Sequence, residues 1–326
     1  MSPRAVVTGA NGFLGIHLVH ALVGSGFEVT ALVHSERGRE FLPDEVSTAC
    51  VDLRSPATLE AVAGAFDGLF HLAAYYGSGE TEEDRRLLEE TNVEGTRRVL
   101  DWACNRGIQR VVHTSTIGTI GRREDGGLPD ESTPFNLPSP SHYVRSKWEA
   151  ECLALDRARS GALNLVVVNP TMPIGAYDRG PTVTGARIVQ YLQGEMPHLL
   201  PGGMNCIDAR DVARGHFLAA QKGESGQRYI LGGENLTPRR FLEMLQAASG
   251  QAPPREERFW KATAQKAARW LQQAGAGGSS KAPPALVCSN EKMRRQLALE
   301  PRPLQEAFSE AVRWFRSHGY VQPQGG

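Results

Sequence analysis

The sequence predicts an α/β fold in which a parallel sheet lies between two layers of helices and a smaller, mostly helical region follows. Short β-branched apolar runs alternate with helical patterns through the first half of the chain. These runs have no polar alternation, which indicates strands buried on both faces, as in a parallel sheet covered by helices. Repeated strand–helix–strand units of this kind give a doubly wound sheet with right-handed crossovers.

Each element of the first half follows from its local pattern. Apolar runs such as AVVT at 5–8 and LNLVVV at 163–168 are typical of strands. Strands are expected at 5–8, 29–33, 46–51, 69–73, 110–114 and 163–168. Helical spacing of apolar residues predicts helices at 12–23, 58–65, 86–104 and 143–160. Strands and helices therefore alternate through a first domain at 1–170.

After residue 170, glycine and proline become frequent and strands become few. We expect helices at 211–221, 238–248 and 304–318, the last ended by Gly319, and a strand at 228–231. Residues 252–281 fit either a helix packed on its own domain or a mobile lid. We expect 203–232 to return to the first domain, and 171–202 with 233–326 to form a smaller region that would bind substrate.

Composition argues against several classes of protein. Lys and Arg number 36, as do Asp and Glu, so nothing indicates binding to nucleic acid or to an anionic membrane. No apolar run approaches the ~20 residues that span a bilayer, and no signal peptide is evident. The five cysteines are scattered, which predicts small buried hydrophobes rather than disulfides or a zinc site. We expect a cytoplasmic protein that binds no metal.

The most specific motif is the turn from the first strand into the first helix, TGANGFLG at 8–15. Gly9 makes the tight turn, Gly12 lets the backbone approach a pyrophosphate, and Gly15 lets helix and strand pack closely. The helix N-terminus then offers unpaired N–H groups to phosphates. A glycine-rich turn alone could be a plain cap, but this context predicts a Rossmann-type site for NAD(P). The other residues assigned to this loop are Asn11, Phe13 and Leu14.

The end of the second predicted strand bears on the choice between NAD and NADP. An acidic residue there would accept hydrogen bonds from a free ribose 2′-hydroxyl, whereas a basic residue would pair with a 2′-phosphate. This sequence has His34 at the strand end and Glu36 and Arg37 just after it. The pattern favours NADPH, although Glu36 and Arg37 also fit a solvated loop.

Tyr143 and Lys147 form the second motif. At positions i and i+4 they share one face of a helix, and a nearby ammonium stabilises a phenolate and lowers its pKa. Thr114 ends the predicted strand at 110–114, and Ser115 and Thr116 follow it, at the edge of the sheet where ligands of such folds bind. Thr114 and Ser115 also fit ordinary polar groups at a strand end. A hydroxyl there could hold a reacting carbonyl while Tyr143 moves the proton.

These motifs together resemble the extended short-chain dehydrogenase/reductase family, of the NAD-dependent epimerase/dehydratase type. The resemblance runs nearly end to end and rests on TGxxGxxG at 8–15, Asp-Leu at 52–53, HLAA at 71–74, NVEGT at 92–96 and YxxxK at 143–147. Within the family, PTVTG at 181–185, GEMP at 194–197 and DVARGH at 211–216 are similar to dihydroflavonol 4-reductase-like proteins and hopanoid-associated sugar epimerases.

The resemblance implies roles for individual residues. Thr116 would be the catalytic hydroxyl, with Ser115 as the other candidate, Tyr143 the acid/base, and Lys147 its partner and a ribose ligand. Asp52 and Leu53 would bracket the adenine. The further cofactor contacts that it implies are Leu72, Ala73, Ala74, Thr114 and Pro170. It also implies a homodimer formed through the helices at 86–104 and 143–160.

Two departures from the family pattern bear on the substrate. Epimerases of this family grip a nucleotide diphosphate with an Asn and an Arg, and the matching positions here are Met172 and Met204. Thioethers cannot replace an amide and a guanidinium as donors. Tyr75 and Tyr76, with Phe13, would add aromatic surface to the pocket, although tyrosines are as often plain packing.

The sequence therefore predicts an NAD(P)H-dependent carbonyl reductase acting on a small, fairly apolar molecule. An epimerase or dehydratase that recycles a retained NAD needs the same Thr, Tyr and Lys, so these residues do not separate the two. A protein that only senses dinucleotides is a third alternative, but such proteins typically lose the Tyr or the Lys, and Tyr143 and Lys147 are both present.

Overall fold

A computed structural model describes residues 2–253 and 285–321 of the chain. Its strands, in chain order, are β1 (Arg4–Thr8), β2 (Glu28–Val33), β3 (Ser47–Cys50), β4 (Gly68–His71), β5 (Arg110–Thr114), β6 (Leu165–Pro170), β7 (Met172–Ile174), β8 (Met204–Asp208), β9 (Arg228–Leu231) and β10 (Glu234–Leu236). Seven of them form a parallel sheet in the order β3-β2-β1-β4-β5-β6-β9. This order confirms the predicted doubly wound sheet.

Helices cover both faces of this sheet, as predicted. In chain order they are α1 (Phe13–Gly24), α2 (Pro56–Glu60), α3 (Glu82–Leu88), α4 (Gly95–Asn105), α5 (His142–Arg159), α6 (Val183–Leu192), α7 (Ala209–Lys222), α8 (Pro238–Ser249) and α9 (Leu304–Ser317). One core forms where α1 and α7 meet the sheet, around Leu18 and Val212. The other lies under α4 and α5, around Leu100 and Ala154.

A second, three-stranded sheet in the order β10-β8-β7 lies apart from the first. Helices α6, α8 and α9 pack on it around Tyr191, Phe241 and Phe308. The sequence analysis missed β7, β8, β10 and α6. The three strands have only three to five residues each, which is too few for a clear periodicity.

Several predicted elements have different bounds in the structure, and three of these differences have a clear description. The helix expected at 58–65 is α2, which begins earlier and has only five residues. The helix expected at 86–104 begins at α3, because the Thr81 hydroxyl accepts a hydrogen bond from the Asp84 N–H and caps it. A π-helical segment, Glu89–Glu94, joins α3 to α4. The strand expected at 163–168 is shifted to β6, where Leu165 pairs with Val111.

All five cysteines are free. Cys206 and Cys288 are buried, as predicted, whereas Cys50 is exposed. The interpretation as a buried hydrophobe is wrong for Cys50 because it ends β3, the edge strand of the central sheet.

The segment 252–281, expected to be a packed helix or a lid, lies almost wholly outside the described residues. Among the residues that the structure describes, no helix has the length and apolar character needed to cross a membrane.

Two histidines lie side by side in the centre of the sheet. His71 on β4 bonds to Thr8 at 2.7 Å and to Thr96 at 3.0 Å, whereas neither ring nitrogen of His113 on β5 has a partner. Burial, and then the charge of Lys147, holds the pKa of His113 well below its usual range. Both rings are fully enclosed by the core, so folding requires His113 to stay neutral.

We predict that His113→Leu reduces the acid sensitivity of the fold. The folded-state pKa of His113 lies below its unfolded value, so the unfolded chain binds the proton first and stability is lost below about pH 6.5. As the pH falls through that window, each buried neutral histidine lowers the free energy of unfolding by up to about 1.4 kcal/mol per pH unit. Urea unfolding at pH 7, 6 and 5 should give a shallower loss for His113→Leu than for wild type. The exposed His20→Leu is the control, and equal slopes for all three proteins would contradict the assignment.

Candidate functional site

The turn from β1 into α1 has no room for a side chain at two of its glycines. Gly9 has a φ of +67°, and a Cβ on it would lie 2.8 Å from the backbone of Ala73. A Cβ on Gly15 would lie 2.1 Å from the carbonyl oxygen of Gly9. Real Cβ atoms do not approach backbone this closely, so the packing of α1 against this turn depends on both glycines.

α1 begins without a capping side chain. Its N-cap residue is Gly12, so the N–H groups of the first turn, which includes Phe13 and Leu14, have no side-chain acceptor. The positive end of the helix dipole points out of the same turn. Together these features suit an anionic group.

A cleft of about 500 Å³ opens beside this turn. Most residues predicted to contact a dinucleotide line it: Gly9, Asn11, Gly12, His34, Asp52, Leu53, Leu72, Ala73 and Ala74. Tyr75, predicted for the substrate pocket, lines this cleft as well. It is held there because its hydroxyl donates to Asp84 at 2.5 Å and its backbone bonds to the Asn92 amide.

The loop after β2 is tied to the glycine turn. Asn11 Nδ2 donates to the carbonyl oxygen of Arg37 at 2.9 Å. In the same loop Glu36 pairs with Arg39 at 2.9 Å. The guanidinium of Arg37 is exposed, and it forms no ion pair with a carboxylate in the described part of the chain, since the adjacent Glu36 pairs with Arg39.

α5 carries the predicted Tyr–Lys pair. Ser141 caps the helix, and Lys147 is only 3% exposed. Lys147 Nζ donates to the carbonyl oxygen of Thr114, at the end of β5, over 2.7 Å. Burial lowers the pKa of Lys147 to about 8, and the charge of Glu151 opposes this shift. The ammonium thus links α5 to the carboxyl edge of the sheet.

The pKa of Tyr143 differs from the sequence prediction. Burial raises it, and Tyr76 raises it further. The ammonium of Lys147, which donates to the Thr114 carbonyl, does not offset this rise. The rings of Tyr76 and Tyr143 meet edge to face with centroids 4.7 Å apart, and Tyr76 is 59% exposed. The phenol of Tyr143 is therefore protonated at neutral pH.

The three hydroxyls at the end of β5 differ in their freedom. Thr114 Oγ1 lies 2.8 Å from Nε2 of the buried His216. Ser115 is buried, with Oγ 3.4 Å from Thr119 Oγ1. Thr116 is only partly buried, and its hydroxyl accepts only a 3.3 Å bond from a backbone N–H of the next turn. Of the three, Thr116 is the most available to a ligand.

The two predicted pocket methionines lie together. β6 ends at Pro170, and Met172 opens β7 two residues later. Met204 opens β8, the strand that pairs with β7. Nη1 of Arg187 lies 3.7 Å from both sulfur atoms, so a guanidinium that the sequence analysis missed lies between them.

Asn92 is another residue that the sequence analysis left without a role. It lies in the π-helical segment and is 1% exposed. Its side chain bonds to both backbone groups of Tyr75 and donates to Ser146 Oγ at 2.9 Å. The Ser146 hydroxyl in turn donates to the carbonyl oxygen of Tyr143. An Asn inside a predicted helix was the sequence feature that could have marked this residue. In the structure Asn92 connects the cleft to α5, the helix that carries Tyr143 and Lys147.

Glu151 was also missed. It lies one further turn along α5 and is 2% exposed. Its carboxylate pairs with Arg228 at 3.0 Å and accepts from Asn169 Nδ2 at 2.8 Å. The same amide donates to the carbonyl oxygen of Thr116 at 3.2 Å. Glu151 follows Lys147 by four residues, and this continued i+4 spacing is the sequence feature that could have marked it. Through Asn169, the carboxylate helps to hold the backbone at Thr116.

A larger cleft, of about 900 Å³, lies between α1, α7 and α9. None of the residues predicted for cofactor, substrate or catalysis lines it. Its Arg210 is engaged by Asp208 and Glu310, at 2.5 and 2.8 Å. The candidate site is therefore the smaller cleft and the adjoining ends of β5 and β6.

Comparison with known proteins gives consistent matches. Residues 5–232 match the family described as NAD dependent epimerase/dehydratase. A putative dihydroflavonol 4-reductase of Synechocystis sp. is 36% identical, over 98% of this chain and 96% of its own. Cinnamoyl-CoA reductase 1 of Oryza sativa is 28% identical, over 97% and 91%. The structure of UDP-glucose 4-epimerase from Thermus thermophilus with NAD is 28% identical, covers 97% and 99%, and has a TM-score of 0.76.

We predict that Gly15→Ala disrupts the turn and the cleft. Its Cβ would meet backbone of Gly9 and Ala10, which cannot yield as a flexible side chain can. Overpacking of this kind costs about 1–3 kcal/mol. Urea unfolding should show that loss, and fluorescence titration with NADH and NADPH should show weaker binding. Gly24→Ala, in open space at the other end of α1, is the control; wild-type stability and binding in Gly15→Ala would contradict the assignment.

Proposed function

Because the chain belongs to the NAD dependent epimerase/dehydratase family, we propose that it is an NAD(P)H-dependent reductase of a carbonyl group on a small molecule. The observation that carries this proposal is the buried Lys147, held at the end of β5 on the helix that bears Tyr143. The same helix carries the phenol of Tyr143, which is the kind of group that can protonate a carbonyl oxygen. The names of the two reductase relatives support the same reaction.

The smaller cleft, beside the glycine turn, has features that suit a dinucleotide. Side chains are absent where Gly9 and Gly15 approach neighbouring backbone, and the uncapped start of α1 suits a pyrophosphate. Asp52 and Leu53 would hold the adenine end, and Leu72 to Ala74 the path toward Lys147. When bound, the nicotinamide supplies the hydride.

The chain's own groups then manage the carbonyl oxygen. Thr116 would donate a hydrogen bond that orients it, and Tyr143 would donate the proton, since its raised pKa keeps the phenol protonated at neutral pH. Lys147, still largely charged below about pH 8, would hold the ribose while its ammonium stays bonded to the Thr114 carbonyl. Glu151 and Asn92 would act as positioning residues through Thr116 and Tyr143.

We further propose that NADPH is the preferred reductant. Arg37 is an exposed cation on the loop after β2 and has no ion pair among the described residues, whereas Arg39 pairs with Glu36. A free guanidinium there can bind a 2′-phosphate through charge-assisted hydrogen bonds.

Arg37→Ser should weaken NADPH binding about tenfold or more while leaving NADH binding unchanged, because a hydrogen bond to a charged group contributes about 1.5–3 kcal/mol. Fluorescence titration with each nucleotide measures both constants. Arg39→Ser, which removes a neighbouring cation already paired with Glu36, is the matched control. Equal weakening of NADH and NADPH would contradict a role in recognising the 2′-phosphate.

An epimerase or dehydratase with a retained NAD is the second candidate, which the likeness to the Thermus epimerase favours. Nucleotide retention separates the two functions. The freshly purified protein is dialysed and denatured, and the released nucleotide is identified by mass spectrometry. Near-stoichiometric NAD would support the second candidate, whereas an empty or freely exchanging site supports the reductase.

Tyr143→Phe should lower kcat for carbonyl reduction by about 10²–10⁴-fold, the usual contribution of a general acid. The ring and its packing on Tyr76 are kept, so nucleotide binding should be unchanged. Steady-state kinetics and fluorescence titration measure the two quantities. Tyr177→Phe, in the larger cleft, is the control for loss of a tyrosine hydroxyl. Full activity in Tyr143→Phe would rule out the assignment.

A further inference from the structure

Arg187 on α6 is a buried cation without a matching anion. It is 8% exposed, and no carboxylate in the described parts of the chain forms an ion pair with it. Nε donates to the carbonyl oxygen of His198 at 2.8 Å. Nη1 reaches only the sulfur atoms of Met172 and Met204, which are weak acceptors. Buried guanidinium groups in proteins are normally paired with an acid or a phosphate.

One edge of this guanidinium is open. Nη2 has no acceptor among the described residues. Enclosed polar atoms without a partner are few in the part of the chain that the structure describes, and Nη2 is not among them, so it is not enclosed. This edge therefore keeps part of the 8% exposure of the residue. A ligand that reaches this edge meets donors already fixed by the His198 carbonyl and the two thioethers.

Arg187 lies close to the strand ends and the tyrosines of the candidate site. Met172 stands two residues beyond the end of β6, the strand that pairs with β5. The charge of Arg187 acts on the Tyr76 phenol, whose ring contacts Tyr143. Asp178, the carboxylate whose charge also acts on Tyr76, is held by the backbone and hydroxyl of Thr182 and forms no bond to Arg187.

We propose that Arg187 binds a carboxylate on the substrate, so that the molecule reduced is a keto acid with an apolar body. The proposal rests on the reductase function given above and refines its substrate class. One open guanidinium edge, flanked by thioethers, matches a single carboxylate and not a diphosphate, which needs several donors. The methionines would contact the apolar part next to the carboxylate.

The test compares acids with their neutral esters. Benzoylformate, 3-benzoylpropanoate and 4-benzoylbutanoate, each with its methyl ester, place the carboxylate at three distances from the ketone. For at least one pair, the wild-type protein should reduce the acid with a kcat/KM at least tenfold above that of the ester. Arg187→Met should abolish this preference by raising KM for the acid far more than KM for the ester. Arg187→Lys should keep part of the preference, because it keeps the charge but loses the planar fork.

A merely structural role for Arg187 gives a different result. Loss of the bond to His198 would then impair acid and ester equally and lower the thermal stability, and that outcome overturns the proposal. Equal reduction of acid and ester by the wild-type protein also overturns it.

Calorimetric titration separates failure of this proposal from failure of the reductase function. The acid that turns over best, or 3-benzoylpropanoate if none does, is titrated into wild type and Arg187→Met with nucleotide present. Binding that is lost in Arg187→Met supports the carboxylate site even when no ketone is reduced, in which case only the reductase function fails. Binding of similar strength to both proteins contradicts the carboxylate site.

Discussion

Burial of Lys147 is the constraint on which the site depends. An ammonium enclosed by protein must be hydrogen-bonded, and the carbonyl oxygen of Thr114 meets that need at 2.7 Å. The bond can form only if α5 lies against the carboxyl end of β5. That placement also determines which way the face of α5 with Tyr143 is turned. Glu151 lies on the same face and bonds to Arg228 and Asn169 of the sheet.

Buried polar groups concentrate at the same edge of the sheet. Asn92, Asn169, Glu151 and His216 are each 2% exposed or less, and each is bonded to a strand end, to α5 or to its own helix. Such groups are costly unless satisfied, and here they fix the backbone around Thr116 and Tyr143. These bonds hold Thr116 and Tyr143 in place, which the proton transfer proposed for them would require.

The sequence predicted the features that depend on local chemistry. Consecutive β-branched residues identified the buried strands, the glycines near Gly9 identified the turn, and i+4 spacing identified Tyr143 and Lys147. Contacts between residues far apart in the sequence were not predicted. Examples are the ion pair of Glu151 with Arg228 and the contact of the Arg187 guanidinium with the Met204 sulfur. Short strands such as β7 and β8 exist only because they pair with each other, so no local pattern reveals them.

The proposed reaction is hydride transfer from an exchangeable nucleotide to a ketone, and isotope transfer is its sharpest test. The protein is given NADPH or NADH that carries deuterium on the reactive face of C4, together with the benzoyl ketones named for Arg187. The alcohol is then analysed by mass spectrometry and NMR. Hydride transfer should place one deuterium on the carbinol carbon of each alcohol, on one face, with NADPH used better than NADH. Nucleotide that keeps its deuterium while no alcohol forms, in a protein shown to bind it, would contradict a reductase.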